Sequence, residues 1–218
     1  MIIQLSRLQY PVTVLGYGRR VGIWFQGCSI GCAGCMSQDT WPAEAGTSVE
    51  VADVLAWIED RADNGIDGVT ISGGEPFEQP TGLDHLLEQL DCWRAARQTP
   101  VDLLCYSGRA LHRLQAEHQY ILERLDAIVP EPFLQQRPSE LPLRGSANQS
   151  IICLTSLGTE RYAAMNTQNA DRRQSRLQVT VDGDTIWYIG IPGRGDLERL
   201  SEKLKDYGIV QEQVSWRS

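Results

Sequence analysis

The sequence predicts an α/β fold in which parallel strands alternate with helices. Short apolar segments over residues 21–26, 68–72, 101–106 and 126–129 are typical of buried strands. Stretches with helical spacing of apolar residues separate them, and the connecting loops are short. Because successive βαβ units cross over with the same hand, we expect the carboxyl ends of these strands at one edge of the sheet.

Each element has a local signal. Residues 1–20 show only a short apolar start and a glycine-rich turn, and the first clear strand ends at Gly27. Thr47 and Glu50 have the spacing of a capping box, which predicts a helix with Thr47 as its N-cap. A fifth strand is predicted over residues 150–154. The apolar faces of the first three helices contain Val51, Val54, Leu55 and Ile58, then Leu83, Leu86, Leu87 and Leu90, then Leu111, Leu114, Ile121, Leu122 and Leu125.

The chain is predicted to divide into a core of residues 1–154 and a C-terminal extension of residues 155–218. Residues 155–175 are polar and irregular, which predicts a loop or lid. Residues 176–189 read as a β-hairpin around an Asp-Gly turn. A final helix is predicted to begin at Asp196 and to end at Gly208.

The composition is that of an ordinary globular protein. Hydrophobic residues make up 42% of the 218 residues and charged residues 22%, which argues against a disordered, collagen-like or coiled-coil chain. The net charge of −8 disfavours general binding to nucleic acid. No apolar run approaches the roughly 20 residues that a membrane span needs, and the first residues do not resemble a secretory signal. We therefore expect a cytoplasmic protein that has no membrane association.

Three of the six cysteines lie on one glycine-rich loop with the spacing Cys28-x3-Cys32-x2-Cys35. In a reducing compartment, such a group binds metal more often than it forms disulfides, and thiolates favour zinc or iron–sulfur clusters. Three protein ligands leave one coordination position open, as in reactive metal sites. A structural zinc site completed by a distant cysteine and a set of unliganded core thiols are the two alternatives.

The remaining cysteines and the histidines are expected to be structural. Cys92, Cys105 and Cys153 are interpreted as core thiols, because free cysteine is among the most buried residue types. The three histidines lie on predicted helices and are expected at the surface or at the edge of the core; they are His85, His112 and His118.

The ordered motifs resemble those of the radical S-adenosylmethionine (SAM) superfamily, and within it the activating proteins of anaerobic ribonucleotide reductase. The resemblance extends over residues 14–150. Gly34 stands before the third cysteine, where many radical SAM enzymes have an aromatic residue, and this fits the activating-protein subgroup. The matching segments are Phe25-Gln26-Gly27-Cys28, Cys32-x-Gly34-Cys35, Asp39-Thr40-Trp41, Ser72-Gly73-Gly74-Glu75-Pro76, Tyr106-Ser107-Gly108 and Arg144-Gly145-Ser146-Ala147-Asn148-Gln149.

The resemblance implies an incomplete barrel of βα units with a 4Fe-4S cluster near its open top. Cys28, Cys32 and Cys35 would hold the cluster, and SAM would chelate the iron that lacks a protein ligand. The implied SAM contacts are Gly34, Met36, Ser72, Gly73, Gly74, Glu75 and Ser107, with Glu75 accepting from the SAM ammonium group. Arg144 and Asn148 are candidate contacts to substrate or SAM.

From the residues alone, blander alternatives stay open for three of these segments. The segment at Gly73 also fits a simple turn before a helix. The segment at Ser107 also fits the ordinary end of a strand, and the segment at Arg144 also fits a surface loop.

The resemblance also implies a reaction and its partners. One electron from the cluster would cleave SAM to methionine and a 5′-deoxyadenosyl radical, which would abstract a hydrogen atom from a glycine of a glycyl-radical enzyme. A flavodoxin or ferredoxin would supply the electron.

The sequence departs from the activating proteins at residues 129–133, where an Asp-Gly turn is expected, and in the length of its extension. A stand-alone radical SAM enzyme acting on a small molecule, peptide or nucleotide is therefore the alternative function, and a non-catalytic zinc or iron–sulfur module ranks below it.

Overall fold

A seven-stranded sheet lies at the centre of the protein in a computed structural model, which describes residues 1–167, 176–183, 185–193, 195–211 and 214–215. The strands are β1 (Ile2–Val12), β2 (Arg20–Phe25), β3 (Thr47–Glu50), β4 (Gly68–Gly73), β5 (Asp102–Tyr106), β6 (Ala127–Val129) and β7 (Ile152–Cys153). Their order across the sheet is β3-β1-β2-β4-β5-β6-β7.

The centre of the sheet is parallel, as predicted. Strands β2, β4, β5 and β6 pair in parallel, so their carboxyl ends share one edge. The outer strands β1, β3 and β7 are antiparallel to their neighbours, and the prediction of a wholly parallel sheet is wrong for them. The described strands form an open sheet that ends at β3 and β7, and the incomplete-barrel form stays a prediction.

Strand β1 was not predicted for residues 1–20, and its pairing with Thr47–Glu50 shows that the prediction of a helical capping box there is wrong. It runs for 11 residues beside β2 and pairs on its other edge with Thr47–Glu50, which is strand and not the start of a helix. The first helix begins at Val51, and Glu50 makes no side-chain capping hydrogen bond. The ladder to β1 supplies the backbone hydrogen bonds that the capping box would otherwise provide.

Three helices cover one face of the sheet: α1 (Val51–Glu59), α2 (Pro80–Ala95) and α3 (Leu111–Leu122). Their leucine, isoleucine and valine side chains pack on Ile23, Ile71 and Leu103 of the strands in the main core. Helix α3 kinks at His118, whose φ of −137° is not helical. No helix in the described part of the chain is both long enough and apolar enough to cross a membrane.

The extension covers part of the opposite face. Its elements are α4 (Ser156–Tyr162), β8 (Leu177–Asp182), β9 (Thr185–Gly190) and α5 (Asp196–Asp206). The hairpin and the last helix confirm the prediction. Ile189 of β9 packs with Val12, Leu15 and Trp24 in a separate apolar cluster on the inner face of the sheet.

The prediction of a loop or lid over residues 155–175 is wrong for its first half, where helix α4 and a short 3₁₀ helix at Ala163–Asn166 form. Residues 168–175 lie outside the described residues. The helix forms because its side chains have partners in the sheet. Tyr162 is fully buried and donates its hydroxyl to the Asp102 carboxylate at 2.6 Å. Arg161 pairs with the same carboxylate. These contacts attach α4 to the core sheet, while the division at residue 154 stays a prediction.

Candidate functional site

The cysteine loop follows β2 at the carboxyl edge of the parallel strands. Its two ends are joined by backbone hydrogen bonds from Gly27 N to Thr40 O at 2.8 Å and from Cys28 N to Trp41 O at 3.1 Å. Ser29 donates to the Glu78 carboxylate from its backbone at 2.8 Å and from its hydroxyl at 2.5 Å. The loop is therefore held in a fixed shape from outside, while its three cysteines remain free thiols.

The surroundings of these thiols fit cluster ligands. The backbone N–H of Ser37 donates to Cys35 Sγ at 3.4 Å. Burial raises the pKa of Cys35, and the Ser37 backbone and Trp41 oppose the shift by donating to the sulfur. Burial likewise raises the pKa of Cys28, against N–H groups of the same loop. Donors aimed at a partly buried sulfur stabilise a metal-bound thiolate. Among the described residues, no three Cys, His, Asp or Glu side chains are grouped to hold a single metal ion.

The glycine pair after β4 lies against the backbone of the cysteine loop. Gly74 N donates to Phe25 O, and Glu75 N donates to Gly27 O, both at 2.8 Å. A Cβ at Gly74 would lie 2.2 Å from Gly27 O, and a Cβ at Gly73 would lie 2.4 Å from Phe25 O. The two glycines are therefore required for this backbone contact, whether or not they also contact a ligand.

The Glu75 carboxylate joins this turn to the turn after β5. It is completely buried and accepts hydrogen bonds from Phe77 N at 3.1 Å, from the Ser107 hydroxyl at 2.9 Å and from Gly108 N at 2.8 Å. Burial raises the pKa of Glu75, and these three donors act against the shift. Protein groups thus occupy three of about four acceptor positions of a carboxylate.

A cavity of about 1470 Å³ lies between the inner face of the sheet, the cysteine loop and the extension. Trp24, Ser72 and Tyr106 form its wall on the sheet, and Cys35 and Met36 form its wall on the loop. The wall on the extension includes residues 185–193 of β9 and the segment after it. The volume exceeds the range of about 300–1,000 Å³ that is typical for one drug-sized ligand.

The structure brings four of the residues proposed for SAM together at this cavity, and these are Gly34, Met36, Ser72 and Gly73. Gly74, Glu75 and Ser107 lie behind the wall, where their contacts are to protein groups. Direct contact of these residues with SAM stays a prediction.

Arg144 and Asn148 do not line the cavity. Arg144 is buried and donates to the carbonyl groups of Gln149 and Met165 at 3.2 Å and to Asn166 Oδ1 at 2.6 Å. Burial lowers the pKa of Arg144. The Asn148 amide donates to Pro132 O at 2.8 Å. Both side chains hold the loop of residues 131–149 in place.

The other cysteines and the histidines differ in exposure. Cys105 is fully buried, and Cys153 is half-buried against the cluster around Leu104. Cys92 is exposed, so its interpretation as a core thiol is wrong; the core face of α2 is occupied by leucines instead. His112 is exposed, and His85 and His118 are half-buried, which confirms the expectation for them.

Sequence reasoning missed three residues of the cavity wall. Gln135 lies where a side chain at position 34 would project, with its amide carbon 2.7 Å from an ideal Cβ. Arg7 comes from the unpredicted strand β1, and Trp187 comes from the hairpin. The apolar and aromatic run of residues 186–189 predicts the strand that contains Trp187, but nothing local in the sequence connects it to the cysteine loop.

Fold and site together define an α/β protein with a three-cysteine loop at the carboxyl edge of its parallel strands. Residues 14–152 match the family model described as 4Fe-4S single cluster domain. The chain belongs to this family, and it is an enzyme of the radical SAM activating type.

The curated relatives include activating proteins of two kinds. The chain is 32% identical over 147 residues to the anaerobic ribonucleoside-triphosphate reductase-activating protein of Haemophilus influenzae, covering 65% of this chain and 93% of that protein. The protein of the same name from Vibrio cholerae is 33% identical over 149 residues, with the same coverage of 65% and 93%. The pyruvate formate-lyase 1-activating enzyme of Escherichia coli is 26% identical over 208 residues, covering 91% of this chain and 74% of that enzyme.

Proposed function

We propose that this enzyme cleaves SAM reductively and uses the resulting radical to activate a glycyl-radical enzyme. One observation carries the proposal: the three-cysteine loop and the Ser72-Gly73 edge face one cavity, in a chain whose relatives are activating proteins. The incomplete-barrel form, the electron donor of the flavodoxin or ferredoxin type and the cytoplasmic location belong to the same proposal.

In this proposal Cys28, Cys32 and Cys35 hold the 4Fe-4S cluster. When bound, the cluster supplies the electron that splits SAM into methionine and a 5′-deoxyadenosyl radical. Gly34 and Met36 would border the adenosine part of SAM, and Ser72 and Gly73 would border its methionine part. Glu75 holds the turns after β4 and β5 together through its hydrogen bonds from Ser107 and Gly108, so both turns would present a constant edge to SAM.

The remaining cavity walls protect a radical from side reactions. Trp24 and Tyr106 from the sheet and Trp187 from β9 present large aromatic surfaces to the space next to the cysteine loop. Aromatic walls exclude water from the site, which prevents reactive species from being lost to solvent.

The relatives name two classes of partner, and both are candidates. The match to the pyruvate formate-lyase 1-activating enzyme covers 91% of this chain and therefore reaches into the extension, whereas the matches to the reductase-activating proteins cover 65%. An anaerobic ribonucleoside-triphosphate reductase and a pyruvate formate-lyase are accordingly the two proteins to test.

A stand-alone radical SAM enzyme is the second candidate, and the wall that the extension forms on one side of the cavity favours it. Ile189 of the extension packs on the inner face of the sheet, so the extension covers part of the face that a protein loop would have to reach. A cavity of about 1470 Å³ has room for SAM together with a small second substrate.

Electron paramagnetic resonance distinguishes the two candidates. The anaerobically reconstituted enzyme is incubated with SAM, dithionite and each partner enzyme, and the partner is examined for an organic radical on glycine. We expect a radical on one partner that requires SAM and this enzyme. If 5′-deoxyadenosine forms but neither partner acquires a radical, the activating function is wrong and the stand-alone enzyme is favoured.

A further inference from the structure

Arg7 lies in the wall of the cavity beside the cysteine loop. Only 15% of its side chain is exposed. Its guanidinium carbon lies 4.8 Å from the ring centroid of Trp24 in β2 and 4.5 Å from that of Trp187 in β9. The residue therefore joins the core and the extension at the cavity.

The guanidinium of Arg7 has no hydrogen-bond acceptor among the described residues. Its Nε is buried without a partner. The nearest carboxylate oxygen, Oδ2 of Asp39, is 3.6 Å from Nη1, which is longer than a hydrogen bond. Among the described residues that line the cavity, Arg7 is the one cation, and Asp39 and Glu198 are the two acids.

Burying a cation without a hydrogen-bond acceptor costs free energy unless a bound partner supplies the acceptor. The two indole rings offset part of the cost by cation–π attraction. Burial lowers the pKa of Arg7, with the Asp39 carboxylate acting in the opposite direction, but an arginine side chain stays protonated in proteins. The planar fork of N–H donors matches an oxyanion such as a carboxylate or a phosphate.

We propose that Arg7 binds a carboxylate or phosphate group of the substrate, so that the enzyme acts on a molecule or peptide segment that carries an anionic group. This inference rests on the proposed function, since it assigns the substrate class of the same cavity. Trp187 lies beyond the matched family region of residues 14–152, so the family match does not supply the complete binding site.

The anion is assigned to the substrate and not to the carboxylate of SAM. Arg7 belongs to β1, whereas Ser72 and Gly73 belong to β4, and β2 lies between these two strands in the sheet. The Trp24 ring of β2 lies against the guanidinium. Separate binding of SAM and of the anion is therefore a consequence of the proposal.

The test uses the reconstituted enzyme without turnover. Sodium phosphate and sodium acetate are titrated at constant ionic strength while tryptophan fluorescence is recorded, because Trp24 and Trp187 flank the site. We expect saturable binding of at least one of the two anions, and the better of them identifies the group as phosphate or carboxylate. Arg7→Gln should weaken binding at least about tenfold, since charge-assisted hydrogen bonds are lost.

Two further variants keep the test decisive. Arg61→Gln is the matched control, because Arg61 lies 3.8 Å from the Trp57 ring but does not line the cavity, and it should bind like the wild type. Asp39→Asn should bind the anion a few-fold more tightly, because a competing negative charge is removed. If Arg7→Gln does not fold, Arg7→Lys replaces it and should also bind more weakly, because the planar fork is absent.

The proposal is overturned if neither anion binds saturably, or if the Arg7 variant binds as well as the wild type. SAM affinity, measured by equilibrium dialysis, should be unchanged within about twofold in Arg7→Gln, a difference of under 1 kcal/mol. A large loss of SAM affinity would assign the guanidinium to SAM and also overturn the proposal. Failure of SAM cleavage in the wild type would contradict the proposed function instead, because the titrations need no turnover.

Discussion

At the scale of single residues, Glu75 and Asp102 show how buried carboxylates organise opposite ends of the sheet. Glu75, in the turn after β4, connects this turn to the turn after β5 through hydrogen bonds from Ser107 and Gly108 at the carboxyl edge. Asp102 begins β5 at the other edge, where it receives two hydrogen bonds from Arg20 at 3.0 and 2.8 Å. Both side chains are fully buried, so their effects on stability are measurable.

Replacing Glu75 by Gln should destabilise the protein. The amide has one acceptor oxygen in place of two, so an N–H of Phe77 or Gly108 would face an NH₂ group. We expect the free energy of unfolding in urea to fall by about 1–3 kcal/mol, the cost of a buried unsatisfied donor. SAM affinity should fall as well, because the proposed SAM site borders both turns. Glu44→Gln, at an exposed position, is the control, and an equal effect of the two changes would refute the role of Glu75.

The Asp102 carboxylate should make stability depend on pH in the acid range. Burial alone would raise its pKa, but the charge of Arg20 and hydrogen bonds from Arg20, Tyr162 and Arg161 hold the pKa below its ordinary value. Its contribution is then complete above the unfolded pKa of about 3.9 and is lost as the pH falls through the lower folded pKa.

Asp102→Asn tests this dependence. At pH 7 the variant should lose about 3–5 kcal/mol, because the Arg20 charge is left buried without its partner. In urea unfolding between pH 7 and pH 3, the variant should also show a flatter loss of stability than the wild type. Asp53→Asn, on the exposed face of α1, should keep the wild-type profile; a variant of Asp102 that does the same would show that the ion pair contributes nothing.

At the scale of elements, the contact between the glycine pair and the cysteine loop determines the shape of the site. Gly74→Ala would place a methyl group 2.2 Å from Gly27 O, so the turn and the loop must separate. We expect lower iron and sulfide content after reconstitution, measured by chemical analysis. Gly65→Ala has open space around its Cβ and a φ of +80°, so it should cost only about 1–2 kcal/mol of backbone strain and keep the cluster. Full cluster loading in Gly74→Ala would contradict this account.

The central elements were predictable because their signals are local. Strands such as β4 and β5 are short apolar runs, and α2 has leucines at helical spacing. Each of these elements can therefore be predicted from its own residues, without knowledge of the elements packed against it. Strand β3 was not predictable, since its residues carry a helix-capping pattern that the ladder to β1 overrides. Helix α4 depends on Asp102, which lies 60 residues away in the chain from Tyr162.

The residues of the candidate site likewise fall into those that local motifs predict and those that depend on tertiary contacts. The thiols and the Gly73-Gly74 turn are contiguous motifs. The groups that donate to Glu75 and the position of Arg7 depend instead on which segments meet in space. Arg144 illustrates the same dependence. Its sequence context suggested a ligand contact, and its two terminal nitrogens donate to nearby carbonyls and to Asn166, while its Nε has no partner among the described residues. Contact of Arg144 with a ligand stays a prediction.

At the scale of the whole molecule, the extension is part of the cavity wall and not a separate appendage to it. Ile189 is 1% exposed and packs on the inner face of the sheet, and Ser215 donates to the Met36 carbonyl on the cysteine loop at 3.0 Å. The sequence predicted the hairpin and the last helix, but their placement on the inner face depends on contacts with β1 and β2 that no local pattern reveals.

Ile189→Ala should loosen the extension. Removing the buried side chain should cost about 2–5 kcal/mol of the packing between hairpin and sheet. Amide hydrogen exchange in β8 and β9 should become at least about tenfold faster, since 1.4 kcal/mol corresponds to a factor of ten. Val181→Ala, at a position 66% exposed on the same hairpin, should leave exchange unchanged. Equal exchange in both variants would show that the hairpin does not depend on this contact.

The central claim is that the cysteine loop and the cavity beside it cleave SAM. Its most direct measurement is the amount of 5′-deoxyadenosine formed when the anaerobically reconstituted protein receives dithionite and SAM. We predict that the wild type forms it, that Cys92→Ala forms it equally well, and that Cys32→Ala forms none because the cluster lacks a ligand. A wild-type protein that carries iron and sulfide but forms no 5′-deoxyadenosine would contradict the claim.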